Sequence, residues 1–295
     1  MSDQTTDEAF EAHRPALLAL AYRMLGDMAR AEDMLQEAWL RWQRRRAEVE
    51  APKAYLVTMV TRLCLDDLTS PRARHEESRG DRLPEPIDLK ESGLDRLELL
   101  DQISMAFLVV LQRLTPAERA VLVLHEVFDM SHDEIAALLG KTAAASRQLL
   151  TRARQSVTAE RRVLHTTPEE HRRLLMAFVG ALSGEERPLL ELLADDVVLI
   201  GDAGPEGGRF GKVRNVGRPV TGQKRVAAFI KALAQQEVSP PAEFHERTLN
   251  GQPAVVAVQN GRPVLAILLA VADGKIRHIF MHADPDRLTR IGALN

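Results

Sequence analysis

One cysteine, Cys64, stands in 295 residues, which excludes an internal disulfide and a thiolate zinc site. Its setting on the amphipathic run Thr61-Arg62-Leu63-Cys64-Leu65-Asp66 marks a small buried residue and not a nucleophile. Long hydrophobic runs are missing too. None spans a bilayer, and the N-terminus lacks a secretory pattern, so a cytoplasmic protein with no membrane partner is expected. Aromatic residues make up only 4% of the chain, leaving few rings for an unpaired base to stack on. Trp39 and Trp42 are expected in packing, and Tyr55 is left as a candidate. The glycine-rich stretch 201–211 lacks the Gly-Lys-Ser/Thr ending of a phosphate-binding loop and is expected to be a mobile loop. Strong charge of either sign is absent as well, the formal net charge being -3.

That mild total hides a local excess. Between 141 and 165 the basic residues are Lys141, Arg147, Arg152, Arg154, Arg161 and Arg162, against the single acid Glu160. The segment therefore carries about +5. It overlaps 131–154, which reads as two short helices joined by a tight turn. Ile135, Ala136, Leu138 and Leu139 fall at helical spacing, Gly140 ends the first helix, and Thr142 caps the second. This is the sequence form of a helix-turn-helix, whose second helix enters the major groove of DNA. Ser146, Leu149, Leu150, Ala153 and Val157 form its inward stripe. The opposite face then presents Ala144, Arg147, Gln148, Thr151 and Arg154. Arg147 and Gln148 are the base-reading candidates, because arginine bonds guanine and glutamine bonds adenine in bidentate fashion. Lys141, Arg152 and Arg154 are expected on phosphates.

The rest of the chain divides around this motif. Residues 5–77 read as helices: apolar residues recur from Phe10 to Leu25, Gly26-Asp27 breaks the pattern, and Pro52 opens a third helix. An extended linker at 78–92 is centred on Leu83-Pro84-Glu85-Pro86, whose prolines bar a helix interior. A helix from 94 to 114, the helix start Thr115-Pro116-Ala117-Glu118 and the helix-turn-helix complete 93–165. From 168 to 295 helices come first, and β-branched runs at 254–259, 264–272 and 276–281 follow. Asn260-Gly261 and Asp273-Gly274 separate those runs as hairpin signals. An antiparallel meander after the helices is expected, in an α+β domain with helices packed on one curved sheet.

Two of these units carry one resemblance. Ala21-Tyr22-Arg23-Met24-Leu25-Gly26, followed by Ala31-Glu32-Asp33-Met34-Leu35-Gln36-Glu37-Ala38-Trp39-Leu40-Arg41, resembles region 2 of extracytoplasmic-function sigma factors. Leu114-Thr115-Pro116-Ala117-Glu118-Arg119 with the helix-turn-helix resembles region 4 of the same family. The third unit resembles a SnoaL-like domain of the NTF2-like fold, an extension found in a subgroup whose linker signature is similar to Leu83-Pro84-Glu85-Pro86. The expected fold class is therefore multidomain: two all-α sigma domains and an α+β NTF2-like cone. The subgroup's Asp-Gly-Gly-Gly-Lys-Val run is interrupted here, since Asp202 and Gly211-Lys212-Val213 bracket eight other residues.

The resemblance implies a non-catalytic subunit that gives RNA polymerase core its promoter specificity. It implies docking on the β′ clamp helices through Asp33, Gln36, Glu37 and Arg41, and contact with the β flap. On spacing alone Asp33 and Glu37 read as a solvated acidic helix face; the resemblance turns that face into a docking surface. Arg44, Arg45, Arg46, Lys53, Tyr55 and Arg62, with Arg72 and Arg74, surround the elements the family uses at the -10 region. Leu83, Pro84, Glu85, Pro86, Asp202, Gly211 and Lys212 are the implied regulatory contacts, by which the third domain tunes the sigma domains in cis. No cofactor or metal is implied, and a small-molecule ligand in the third domain stays open. So do two rivals. One is a ligand-sensing or enzymatic third domain using His245, His278, His282 and Asp284. The other is a repressor that binds duplex operators alone.

Overall fold

A computed structural model describes residues 2–45, 49–71, 73, 82–89, 103–160, 166–182, 189–204, 209–210, 213–214, 218–235 and 241–291. The chain forms two compact units. One comprises Met1–Glu76, Gly93–Glu98 and Leu108–Ala159; the other comprises Glu77–Ser92, Leu99–Phe107 and Glu160–Asn295.

The first unit is helical. Helices α1 (Ser2–Leu25), α2 (Met28–Arg45) and α3 (Pro52–Leu68) pack on one another. Gly26 ends α1 with a φ of 67°, its N–H donating to the Tyr22 carbonyl at 2.7 Å. Asp27 then caps α2 by accepting from the Arg30 N–H at 3.0 Å. Phe10, Leu17, Tyr22, Leu35, Trp42 and Leu56 are fully buried and fill the core. Each such side chain contributes about 1.5–3 kcal/mol by leaving water. Cys64 is buried among them, and desolvation pushes its thiol far above the ordinary range, as an inert packing residue requires.

Helices α4 (Met105–Arg113), α5 (Pro116–Phe128), α6 (His132–Leu139) and α7 (Ala143–Glu160) follow. Of the helix expected over 94–114, the described part is Met105–Arg113, where Ser104 accepts from the Phe107 N–H at 3.4 Å and caps it. Residues 94–102 lie outside the described residues. Arg119 of α5 is buried, and its guanidinium donates to the carbonyls of Met24 and Gln112, the latter at 3.0 Å. One cation thus satisfies the carbonyl ends of α1 and α4, joining the two helical motifs within this unit.

The second unit is α+β. Helices α8 (Pro168–Leu182) and α9 (Leu189–Leu192) precede β1 (Leu193–Asp202). The ribbon β2 (Arg209–Phe210) and β3 (Val213–Arg214), then β4 (Val220–Thr221) and α10 (Gln223–Ala234), lead to β5 (Glu243–Leu249), β6 (Gln252–Gln259), β7 (Arg262–Ala272), β8 (Lys275–His282) and α11 (Pro285–Leu288). The six-stranded sheet has the order β4-β1-β8-β7-β6-β5. Asn260-Gly261 and Asp273-Gly274 make the expected hairpins with φ of 54°, 71°, 54° and 70°.

Three features add to the expected meander or depart from the expected loop. The sheet is mixed, because β8 pairs parallel to β1: α10 carries the chain to the far edge, and the meander returns to close on β1. Strand β5 reads polar, since it is an edge strand with mostly exposed side chains. And part of the stretch expected as a mobile loop pairs, as β2 with β3.

Leu175, Phe178, Val197, Leu199, Val226, Ile230, Val255, Ile267, Leu269 and Ile279 form the apolar core between helices and sheet. Residues 82–89 contain no helix or strand and belong to this unit, with Leu83, Pro84, Glu85, Pro86, Ile87 and Leu89 buried. The prolines keep the segment extended, as expected, but it is not a free spacer.

Candidate nucleic-acid interface and linker clamp

The helix-turn-helix is built by local chemistry. Thr115 with Glu118, and Ser131 with Glu134, each form a reciprocal capping box. Hydrogen bonding from Ser131 holds the Glu134 carboxyl below the usual carboxylate range. Gly140 closes α6 with a φ of 62°, and the Lys141 N–H reaches the Ala136 carbonyl at 2.9 Å. Thr142 Oγ1 then accepts from the Ala145 N–H at 3.1 Å, so α7 starts at a fixed angle to α6. Ser146, Leu150, Ala153 and Val157 are buried and Leu149 half-buried, while Lys141, Ala144, Arg147, Gln148, Thr151, Arg152 and Arg154 are exposed.

Two details were not legible in the sequence. Ser146 is held 3.0 Å from His132 Nδ1, and His132 stacks on His125 with ring centroids 4.9 Å apart. Burial, with His125, Arg147 and Arg154 nearby, lowers the His132 pKa below the ordinary histidine value. Arg154 is engaged by Glu126 of α5 at 2.6 Å, so its charge is already partly neutralised. Arg161 and Arg162 lie outside the described residues.

On α2, Asp33 and Gln36 are exposed, and Glu37 pairs with Arg41 at 2.6 Å. Leu40 lies among them, 46% exposed, an apolar residue on a polar face. Arg41 also lines a pocket of about 570 Å³ with Arg44, Tyr55, Thr58, Met59 and Arg62. Tyr55 is half-buried and leans on the buried Trp42, ring centroids 6.1 Å apart. Trp39 packs edge-on against Phe10. Three residues expected at the -10 element, Arg44, Tyr55 and Arg62, thus share one cavity with an Arg expected elsewhere; Thr58 and Met59 were missed. Lys53 is exposed and is not among the lining residues. Arg45 closes α2 with its side chain undescribed, and Arg46, Arg72 and Arg74 lie outside the described residues.

In the second unit the linker is clamped. Asp202 Oδ2 accepts from the Leu83 N–H at 3.1 Å and Oδ1 from the Gly204 N–H at 3.0 Å. Arg287 donates to the Leu83 carbonyl and lies 3.8 Å from Asp202. Asp284 pairs with Arg82 at 3.1 Å, and Glu85 with Arg290 at 3.4 Å. Asn250 Oδ1 accepts from the Ile87 N–H at 3.1 Å while its own N–H donates to the Ile87 carbonyl at 2.9 Å, imitating a strand partner. Gln252 Oε1 accepts from the Met105 N–H at 3.2 Å. Gly204, with a φ of 73°, approaches so closely that a Cβ there meets the Asp284 carboxylate at 2.7 Å. Leu83, Glu85 and Asp202 were named from sequence; Arg82, Asn250, Gln252, Arg287 and Arg290 were not, since nothing local marks them. Gly211 and Lys212 lie outside the described residues.

The His–Asp pairing of the enzymatic rival does not form. Asp284 is committed to Arg82 and to capping α11. His282 is fully buried, and neither ring nitrogen has a hydrogen-bond partner. His278 stacks on Phe280, centroids 5.8 Å apart. Strand alternation turns all three away from the apolar core between helices and sheet. His245 is on the edge strand β5, 3.5 Å from Glu243. Among the described residues no set of histidine, cysteine and carboxylate groups is placed to hold a metal, and no helix is long and apolar enough to cross a membrane.

Residues 9–74 match sigma-70 region 2, and residues 104–157 match sigma-70 region 4. Two helical promoter-recognition modules in this order define a sigma-70-type protein. The ECF RNA polymerase sigma factor SigJ of Mycobacterium tuberculosis is 35% identical, over 95% of this chain and 92% of its own length. The probable ECF RNA polymerase sigma factor SigI of the same species is 34% identical, over 97% and 95%. The crystal structure of M. tuberculosis SigJ superposes with a TM-score of 0.73 at 32% identity, covering 95% of this chain and 97% of that one. The chain belongs to the extracytoplasmic-function sigma factor family, in a form that continues into an α+β domain.

Proposed function

We propose that the chain binds RNA polymerase core in the cytoplasm and directs it to promoters, taking the -10 element with residues 5–77 and the -35 element with 93–165. The observation that carries this reading is the pocket on α2 and α3. Four cationic or aromatic side chains, Arg41, Arg44, Tyr55 and Arg62, surround Thr58 and Met59. That combination of a cationic rim with an apolar and aromatic wall suits an unpaired base and its phosphates. Asp33, Gln36 and Glu37, around the exposed Leu40, supply the β′ clamp surface: an apolar anchor within a polar rim. The helix-turn-helix takes the -35 duplex, with the β flap as its polymerase partner. Run-off transcription with purified core tests this. Promoter-dependent transcripts are expected from the full chain, and their loss on Leu40→Asp; tight operator binding without any transcription would favour the repressor.

On α7, Arg147 and Gln148 read bases while Lys141, Arg152 and Arg154 hold phosphates. Arg147→Ala is expected to relax one promoter position, at a cost of about 1–3 kcal/mol against the preferred base. Arg154→Ala is expected to weaken all promoters alike and by less, because Glu126 already binds its charge. Equal losses across a promoter panel would sink this division.

The C-terminal domain acts in cis on the sigma domains and is not a catalyst. The clamp on residues 82–89 supports this reading, because it couples the segment that joins the two sigma modules to β1 and α11. Run-off transcription with Gly204→Val, which crowds Asp284 directly, is expected to change promoter output while leaving the helix-turn-helix folded. Unchanged output would defeat the cis role.

A further inference from the structure

From residue 207 to residue 236 the chain has no acidic residue and seven basic ones: Arg209, Lys212, Arg214, Arg218, Lys224, Arg225 and Lys231. The described part of this run puts Arg218 just before β4 and the last three on α10, all exposed. The outward face of α10 reads Lys224, Arg225, Ala228, Lys231, Ala232, with Gln235 just past its end: cations separated by alanines, with no acid and no large apolar side chain. Lys224 and Lys231 are separated by two helical turns, about 10 Å along the axis.

Some other surface arginines of the same unit are paired, although the exposed Arg173 and Arg262 make no ion pair with a described residue. Arg172 meets Glu246 at 2.7 Å, and Arg277 bridges Asp196 and Asp273 at 3.0 and 3.1 Å. Arg218, Lys224, Arg225 and Lys231 make no ion pair with any described residue. Lys224 and Arg225 also occupy the first turn of α10, where the helix dipole disfavours cations and no acid balances them. The helix itself therefore does not account for the placement of Lys224 and Arg225. A polyanion does, and the bare alanines allow a phosphate backbone to approach closely.

We propose that this face of α10, with Arg218, is a second DNA contact: a sequence-independent grip by the C-terminal unit on the phosphates of duplex DNA. The choice of DNA over other polyanions rests on the proposed function, which puts the same chain on duplex DNA through α7. Such contacts add affinity and salt dependence without adding base preference.

The test uses the full chain without polymerase and a duplex of about 40 base pairs lacking promoter elements, titrated from about 50 to about 200 mM salt. The variant Lys224→Ser/Arg225→Ser/Lys231→Ser is expected to bind at least about ten-fold more weakly at the low-salt end, with the slope of log affinity against log salt shallower by about 3. Lys231→Glu alone, remote from the first turn, is expected to flatten the slope by about 1. Thermal unfolding no earlier than in the parent chain shows that the loss is not misfolding. An unchanged slope in both variants overturns the proposal. So does intact DNA binding with loss of binding to phosphatidylserine–phosphatidylcholine vesicles, which assigns the face to a membrane surface. Run-off transcription in parallel separates this from failure of the sigma reading, because the variant is expected to keep its promoter choice.

Discussion

Replacing Asp202 by alanine is expected to release the linker from the C-terminal unit at a cost of about 3–5 kcal/mol. The carboxylate is buried and does three things at once. It accepts the Leu83 N–H, accepts the Gly204 N–H, and faces the buried Arg287 guanidinium. Its loss leaves two backbone donors without an acceptor and removes the carboxylate that faces the Arg287 guanidinium. Each unmade hydrogen bond costs about 1–3 kcal/mol, and the buried charge adds more. Asp202→Asn keeps an acceptor and removes only the charge, so it is expected to lose less. Hydrogen exchange at the Leu83 and Ile87 amides checks the prediction: Leu83 should lose protection in Asp202→Ala and keep part of it in Asp202→Asn. Full protection in both would show that the apolar contacts of Leu83 and Ile87 hold the linker without the clamp. The same variants in run-off transcription ask whether release of the linker alters promoter output.

Acid is expected to destabilise the second unit by about 4 kcal/mol between pH 7 and pH 5. Burial lowers His282 to about 3, with Arg287 adding to the effect, and burial lowers His171 to about 4. Both are neutral in the folded chain throughout this window, whereas an unfolded histidine titrates near 6.5. Below that value the unfolded state binds more protons, so stability rises with pH and falls with acid, by about 2 kcal/mol per histidine at pH 5. The effect is absent above the unfolded value and saturates only below the folded ones. Urea unfolding followed through hydrogen exchange in β7 and β8 measures it. His282→Phe is expected to remove about half of the pH dependence. It should not destabilise the unit at pH 7, because both ring nitrogens already lack a partner. A flat profile between pH 7 and pH 5 would mean that these rings gain solvent in the folded state.

The parts legible in the sequence are those with short-range causes. Gly26, Pro52, Thr115, Gly140 and Thr142 act on the backbone within a few residues, so the helices and the helix-turn-helix follow from local chemistry. The exposed face of α7 follows from helical period once the inward stripe is read. The Asn-Gly and Asp-Gly hairpins are equally local, and the two prolines of the linker exclude a helix there. Other features gave weak local signals. Strand β5 carries the polar residues of an edge, so its alternation is masked. The pairing of β1 with β8 joins residues about 80 positions apart, and its direction depends on the path of the chain between them. Thr58 and Met59 were passed over because a mixed polar and apolar helix face has no meaning until α2 brings Arg41 and Arg44 beside it.

The sequence by itself determined that this chain has two helical modules and an α+β extension, because capping, periodicity and turn chemistry act within one or two helical turns; that the modules are of sigma type came through resemblance. It also singled out Leu83, Glu85 and Asp202, through resemblance. Only the tertiary structure decided that the linker is a buried part of the C-terminal unit, that Asp284 serves Arg82 and not a histidine, and that Arg154 is held by Glu126. Those pairings join groups from 28 to more than 200 positions apart. A charge in a sequence has no address until the fold supplies its partner, and burial then sets what that partnership is worth.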